Sequence, residues 1–133
     1  MKRLLATARE AKVPVVWTQV LYKKGMKDAG LFYHKARQLE VWEEGNTKGY
    51  DELVPGLEPA DGERIVAKQY PSAFFGTTLA SQLHLLNVDT LVVCGVSTSG
   101  CVRASVLDAM CYSYRPMVSI LQDDPHPESL AKL

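Results

Sequence analysis

The chain has 133 residues, of which 47% are hydrophobic, so it is long enough for one domain with a buried core. Fifteen basic residues balance fifteen acidic ones, which excludes the strong net charge typical of proteins that bind nucleic acids or membrane surfaces. No apolar run approaches the ~20 residues that a helix needs to cross a bilayer.

The first part of the chain predicts a helix followed by a strand. Lys2–Ala11 is predicted to be helical because apolar residues recur on one face. Met1–Ala6 looks like the start of a signal peptide, but charged residues from Arg9 onward interrupt the apolar region, so we reject that interpretation. Val15–Val20 is apolar enough to predict a buried strand.

A long segment of mixed polarity follows this strand. Leu21–Lys35 is predicted to be a loop, Ala36–Glu44 a short helix, and Gly45–Gly62 an excursion over the surface. His34 has no second ligand at metal spacing, so we expect its side chain to be solvated rather than metal-bound.

A second predicted strand, Glu63–Lys68, ends on a lysine. Such a lysine is usually solvated, but the residues that follow Lys68, Gln69–Gly76, are aromatic or small and suit the wall of a pocket. A helix is predicted next. It is capped by one of the two threonines before Leu79 and ends near Leu86.

The segment around Cys101 combines a buried strand, a turn of small residues and a helix. Leu91–Cys94 is short, apolar and rich in β-branched residues, which predicts a strand buried on both faces. The turn Gly95–Gly100 leads to Cys101, where the helical pattern begins. Unpaired N–H groups at a helix start favour a thiolate, so Cys101 is a candidate nucleophile. The alternative is a cysteine packed under the helix.

The last predicted strand is Met117–Leu121, after a turn at Arg115 and Pro116. The alternation of helices and strands predicts a parallel sheet with helices on both faces. In such sheets ligands bind beyond the carboxyl ends of the strands, where both Lys68 and Cys101 fall.

The cysteines are too few, and odd in number, for a disulfide framework. Cys94, Cys101 and Cys111 therefore predict reduced thiols and a cytoplasmic protein.

Two motifs resemble those of the isochorismatase-like cysteine hydrolases, and within them the N-carbamoylsarcosine amidases. They are Ala67–Phe74 (AKQYPSAF) and Cys94–Arg103 (CGVSTSGCVR), and Gly49–Gly56 also fits that subfamily. The resemblance covers roughly Met1–Val118. It implies a three-layer α/β/α, Rossmann-like parallel sheet, in a single but incomplete domain over 1–133 that lacks its first strand.

The resemblance also implies an activity and roles for individual residues. Its members hydrolyse C–N bonds of amide or N-carbamoyl (ureido) substrates with a Cys–Lys–Asp triad. By position, Cys101 matches the nucleophile and Lys68 the lysine. A cis peptide bond between Val96 and Ser97 is implied, with the N–H groups of Ser97 and Cys101 binding the oxyanion.

The resemblance extends to the pocket and the partners. Tyr70, Phe74 and Phe75 would line the substrate pocket, with core packing an equal alternative for either phenylalanine. Thr18–Leu21 replaces the Asp-x-His cluster of the metal-dependent nicotinamidase branch, so we expect no catalytic metal and no cofactor. We expect a small-molecule substrate, no nucleic-acid or membrane partner, and assembly as a homodimer or homotetramer.

Two departures from the family pattern are visible. The triad aspartate would lie on a strand upstream of the first helix and has no counterpart here, so we expect this chain to be nearly inactive as a hydrolase while its thiolate can still be alkylated. After Leu121, Gln122–Pro127 stands where the family carries an arginine for the substrate carboxylate, and His126 is a poor substitute. Three hypotheses follow: a C–N hydrolase, a non-catalytic relative kept for oligomerisation or binding, and a redox-sensing thiol protein.

Overall fold

A computed structural model describes residues 1–46 and 48–119. It is an α/β structure with four α-helices and four strands in that part of the chain. The helices are α1 (Lys2–Glu10), α2 (Gly30–Lys35), α3 (Leu79–Leu85) and α4 (Arg103–Cys111). The strands are β1 (Val16–Val20), β2 (Arg64–Lys68), β3 (Thr90–Val93) and β4 (Arg115–Val118). A 3-10 helix (Arg37–Trp42) and a π-helical turn (Thr98–Val102) complete the elements.

The strands form two parallel pairs. β1 pairs with β2, with Val20 opposite Lys68, and β3 pairs with β4, with Val93 opposite Val118. The parallel α/β arrangement agrees with the prediction, but within the described ranges the sheet consists of two separate halves. No helix in this part of the chain is long and apolar enough to cross a membrane.

One hydrophobic core joins the two strand pairs. Leu79 and Leu83 of α3 pack with Val66 of β2 and Ala109 of α4, and Leu91 of β3 contacts the same cluster. Burial of these side chains is the main favourable term in the folding of such a unit. Because one cluster touches both pairs, it fixes where the carboxyl end of β2 lies relative to the turn after β3.

The segment between β1 and β2 is more regular than the sequence predicts. The predicted loop Leu21–Lys35 contains α2, and the predicted helix Ala36–Glu44 is a 3-10 helix. This segment has a small core of its own, which its irregular apolar spacing did not reveal. Its buried residues are Tyr22, Met26, Ala29 and Leu39.

The predicted boundaries of the last strand were wrong at its start. β4 begins at Arg115 rather than at Met117, because Arg115 pairs with Thr90 and its N–H donates to the Asp89 carbonyl. The predicted end at Leu121 lies outside the described residues. Arg115 is therefore a strand residue rather than part of a turn, because it pairs with β3, and the residues next to it in the sequence do not indicate this pairing.

Glu63 holds α1 against the start of β2. Arg9 donates from Nε and Nη2 to the two Glu63 carboxylate oxygens at 2.8 and 2.9 Å, and Trp17 Nε1 donates at 2.7 Å. The hydrogen bond from Arg9 is the main cause that lowers the pKa of Glu63 to about 2, and those from Trp17 and the Ala60 N–H add to it. The folded state therefore favours the ionised carboxylate.

We expect Glu63→Gln to reduce the acid sensitivity of the fold. Because the pKa of Glu63 is lowered in the folded state, its contribution to stability is complete above its ordinary value of 4.5 and is lost as the pH falls toward about 2. The variant should be less stable at neutral pH and should lose less further stability on acidification. Urea unfolding at a series of pH values measures both effects.

Asp61→Asn is the matched control, because Asp61 is an exposed carboxylate in the same loop. Its acid sensitivity should equal that of the unmodified chain. If Glu63→Gln and Asp61→Asn gave the same pH dependence, the Arg9–Glu63 contact would not couple protonation to folding.

Candidate active site

Lys68 and Cys101 meet at the carboxyl end of β2. Lys68 is the last residue of β2, and its side chain is almost fully buried, with 3% exposed. Its Nζ donates to Cys101 Sγ at 3.3 Å across 33 residues of sequence. The two residues that the sequence placed at strand ends are therefore in direct contact.

The buried ammonium group of Lys68 uses all three of its hydrogen-bond donors. Besides Cys101 Sγ, Nζ donates to the carbonyl oxygens of Tyr70 at 3.0 Å and Pro71 at 2.9 Å. A buried charge is costly unless its hydrogen bonds are satisfied. Two backbone carbonyls thus hold the ammonium group in place, and its remaining N–H points at the thiol.

Cys101 lies inside the π-helical turn rather than at the first residue of an α-helix. Helical structure begins at Thr98, and regular α-helix begins only at Arg103, so the predicted helix start at Cys101 is wrong. The Ser97 carbonyl accepts the N–H groups of both Gly100 and Val102 at 3.2 Å, which widens the turn. Turns of this kind are rare and occur frequently at functional sites.

The peptide bond between Val96 and Ser97 is cis, which is the geometry that the resemblance implies. No residue in the described ranges accepts a hydrogen bond from the Ser97 N–H. A side chain at Gly100 would place its Cβ 2.6 Å from Ser97 Oγ, so a larger residue there would require the Ser97 hydroxyl to move. The role of these N–H groups in binding an oxyanion stays a prediction.

The three predicted pocket aromatics separate into two groups. Tyr70 packs edge-on against Phe75 with ring centroids 4.8 Å apart, and Phe75 is 58% exposed. Phe74 is 4% exposed and belongs to the core cluster, and Tyr112 stacks on its ring. The burial of Phe74 favours the alternative of core packing for this residue, while Tyr70 and Phe75 stay pocket candidates.

Tyr22 is hydrogen-bonded to the segment that follows Lys68, and the sequence pattern did not identify this residue. Its hydroxyl donates to the Gln69 carbonyl at 2.8 Å, and Gln69 Nε2 donates to the Leu21 carbonyl at 3.0 Å. The Leu21 N–H in turn donates to the Lys68 carbonyl at 3.2 Å. Burial raises the pKa of Tyr22, so its hydroxyl keeps the proton that it donates. An apolar residue pattern cannot reveal such a contact.

No group of three or more His, Cys, Asp or Glu side chains is placed to hold a metal ion in residues 1–46 and 48–119. The absence of a catalytic metal stays a prediction. A cavity of about 510 Å³ lies at the amino ends of β1 and β2, where Val16 and Arg64 line it. This cavity is at the opposite end of the strands from Lys68, so it is not assigned to the same site.

Comparison with known proteins identifies the family. Residues 1–119 match the isochorismatase domain. The chain belongs to the isochorismatase family. It is 40% identical to maleamate amidohydrolase of Pseudomonas putida, over 96% of this chain and 62% of that protein. It is 34% identical to N-carbamoylsarcosine amidase of an Arthrobacter species, over 89% of this chain and 46% of that protein.

The family resemblance and the fold class are thus confirmed. A cysteine hydrolase from Pseudomonas syringae pv. phaseolicola has the same fold, with a TM-score of 0.82 and 25% identity over 88% of this chain and 55% of that one. A further relative, 33% identical over 91% of this chain and 62% of that protein, is named a probable inactive nicotinamidase of Arabidopsis thaliana. The chain spans about half to three fifths of the length of these proteins.

We expect the adjacent residues Phe74 and Phe75 to respond differently to truncation. Phe74→Ala should lower the free energy of unfolding by about 3–5 kcal/mol, because it leaves a cavity in the core. Phe75→Ala should cost far less, because 58% of that residue is already exposed. Urea unfolding of the two variants measures the difference, and equal losses would contradict the assignment of Phe74 to the core.

Proposed function

We propose that Lys68 and Cys101 form the reacting centre of a cysteine-dependent hydrolase that cleaves C–N bonds in small amides or N-carbamoyl (ureido) compounds. The observation that carries the proposal is the 3.3 Å contact between the buried Lys68 ammonium group and Cys101 Sγ. The amidohydrolase and amidase names of the relatives support the same chemistry.

The contact suits nucleophilic catalysis. The Lys68 ammonium group favours the Cys101 thiolate, since an opposite charge at hydrogen-bond distance stabilises the ionised form. The thiolate attacks the carbonyl carbon and forms a C–S bond, and the N–H groups of Ser97 and Cys101 stabilise the oxyanion. The C–N bond then breaks, and the leaving nitrogen takes up a proton. Water hydrolyses the thioester and regenerates the thiol.

The proton transfers need a further group. The salt bridges of the described residues join Arg9 to Glu63 and Arg115 to Asp89, and neither involves Lys68. The resemblance assigns the proton shuttle to an aspartate that has no counterpart in this chain. A positioned acid–base typically contributes ~10²–10⁴-fold. The described residues are therefore proposed to supply the reactive thiolate, and no described carboxylate pairs with Lys68 to transfer protons.

The surroundings of the centre support a small linear substrate. Tyr70 and Phe75 form the aromatic wall of the proposed substrate pocket, and the proposed reaction needs no metal or cofactor.

We extend the proposal to a single domain over residues 1–133, a cytoplasmic location and a homodimer or homotetramer. Exposed apolar residues on β3, β4 and α4 support an assembly, because burial of such surface favours association. They include Val92, Leu107, Met110 and Met117.

A non-catalytic role is the second candidate. Two observations favour it: one relative is named as probably inactive, and no described carboxylate pairs with Lys68. Such a protein would keep the fold and lose turnover. A redox-sensing role for Cys101 stays untested.

We expect iodoacetamide to label Cys101 before the other two cysteines. Burial raises the pKa of the Cys94 thiol, and among the described hydrogen bonds Lys68 donates to Cys101 Sγ while none reaches the exposed Cys111 thiol. Lys68→Ala should slow the labelling of Cys101 near neutral pH and move its rate–pH profile to higher pH, because the stabilising charge is gone. Peptide mapping over a pH series measures both effects.

Lys24→Ala is the control, because it removes an exposed lysine elsewhere on the surface. It should leave the profile unchanged. In the same preparations, Cys101→Ala should abolish any release of ammonia from maleamate or N-carbamoylsarcosine. Three results would each contradict the proposed centre. They are faster labelling of Cys111 than of Cys101, an unchanged rate–pH profile of Cys101 labelling in Lys68→Ala, and retained hydrolysis in Cys101→Ala.

A further inference from the structure

Ser105 lies on α4, one helical turn after Cys101, and is 7% exposed. Its hydroxyl donates to the Cys101 carbonyl at 2.7 Å and accepts the Ala73 N–H at 3.0 Å. A serine hydroxyl has one donor and two acceptor positions, so a single oxygen here connects two backbone groups. Because the residue is buried, water cannot easily replace either partner.

One of these bonds is local and the other is not. Serine in a helix commonly donates to the carbonyl four residues earlier, so the bond to Cys101 alone indicates no special role. The bond from Ala73 spans 32 residues and reaches a different segment. Ala73 follows Tyr70 and Pro71, whose carbonyls hold the Lys68 ammonium group.

These contacts close a ring through the candidate centre. From Cys101 Sγ the ring passes to Lys68 Nζ, then to the Pro71 carbonyl, along the backbone to Ala73, and through Ser105 Oγ to the Cys101 carbonyl. Ser105 is the link by which the turn carrying the thiol is joined to the loop that holds the cation. The other links are the Lys68–Cys101 contact, the hydrogen bond from Lys68 Nζ to the Pro71 carbonyl, and covalent bonds.

We propose that Ser105 is a positioning residue that sets the approach of the Lys68 ammonium group to the Cys101 thiol. The inference rests on the proposed function, since it concerns the reactivity of that thiol. Without the hydroxyl, the Ala73 N–H loses its acceptor, and the loop holding Lys68 loses its hydrogen-bonded link to the Cys101 turn. The cation then contacts the thiol less closely, and less of Cys101 is thiolate near neutral pH.

Thr77 provides a matched control within the same loop. Its Oγ1 donates to the Ala73 carbonyl at 2.6 Å and accepts the Leu79 N–H at 3.2 Å. Like Ser105, it connects the backbone of Ala73 to a helix through one hydroxyl. Its described hydrogen bonds reach neither Cys101 nor Lys68, so Thr77→Val removes a comparable connection outside the ring.

The test compares Ser105→Ala, Ser105→Thr and Thr77→Val in the full chain. Iodoacetamide labelling of Cys101 is measured against pH, and urea unfolding gives the stability of each variant. Trypsin cleaves after Arg103, so modification of Cys101 is recorded on a different peptide from position 105 and from Cys111. The labelling profile reports the charge beside the thiol, which a general loss of stability does not change.

Ser105→Ala should move the labelling profile to higher pH and slow labelling near neutral pH by roughly twofold to tenfold, the effect of one ordinary hydrogen bond. Ser105→Thr keeps the hydroxyl and should restore the profile. Thr77→Val should lose stability and keep the profile. If Ser105→Ala does not fold, Ser105→Cys replaces it, because a thiol is a weaker hydrogen-bonding group of similar shape and should shift the profile in the same direction.

The positioning role of Ser105 would be overturned by either of two results. The first is an unshifted labelling profile in Ser105→Ala or in Ser105→Cys, and the second is an equal shift of that profile in Thr77→Val. Lys68→Ala separates this failure from failure of the proposed centre. If Lys68→Ala shifts the profile and Ser105→Ala does not, only the role of Ser105 is wrong. If Lys68→Ala has no effect either, the proposed centre and the role of Ser105 fail together.

Discussion

The buried ammonium group of Lys68 is the constraint on which the rest of the site depends. A charge with 3% of its residue exposed must satisfy three N–H donors within the protein. Two of them require the backbone after β2 to turn its Tyr70 and Pro71 carbonyls inward, and the third requires Cys101 to lie within 3.3 Å. The shape of the loop and the position of the thiol both follow from this requirement.

The core explains how two strand pairs can present one centre. Lys68 belongs to the first pair, and Cys101 lies between the two strands of the second, so their distance depends on how the pairs are held together. The cluster around Leu79 and Leu83 contacts strands of both pairs, and it supplies that connection through packing. Ser105 adds a hydrogen-bonded connection close to the reacting atoms. Packing in the core thus sets how the two strand pairs lie relative to each other, and polar contacts set the distance between the Lys68 ammonium group and the Cys101 thiol.

The sequence predicted those parts of the site that depend on strand position. Lys68 and Cys101 were found because short apolar runs predict strands and parallel sheets bring their carboxyl ends together, although alternate residues of β2 and β3, such as Val92, are exposed. Contacts between distant segments leave no such pattern. The ring of Phe74 packs with Leu79 and Leu83 in the core, and Ser105 joins the site through Ala73. The π-helical turn that holds Cys101 likewise depends on two N–H groups that share one carbonyl.

Acylation by an activated aryl ester of a small carboxylic acid tests the central claim most directly. Such an ester has a good leaving group, so it needs the thiolate but not the proton shuttle that the described residues lack. Mass spectrometry of the acid-quenched, digested protein would locate the acyl group. The account predicts a thioester on Cys101 that forms more slowly in Lys68→Ala. Acylation of Cys94 or Cys111 in preference to Cys101, or an equal rate in Lys68→Ala, would contradict it.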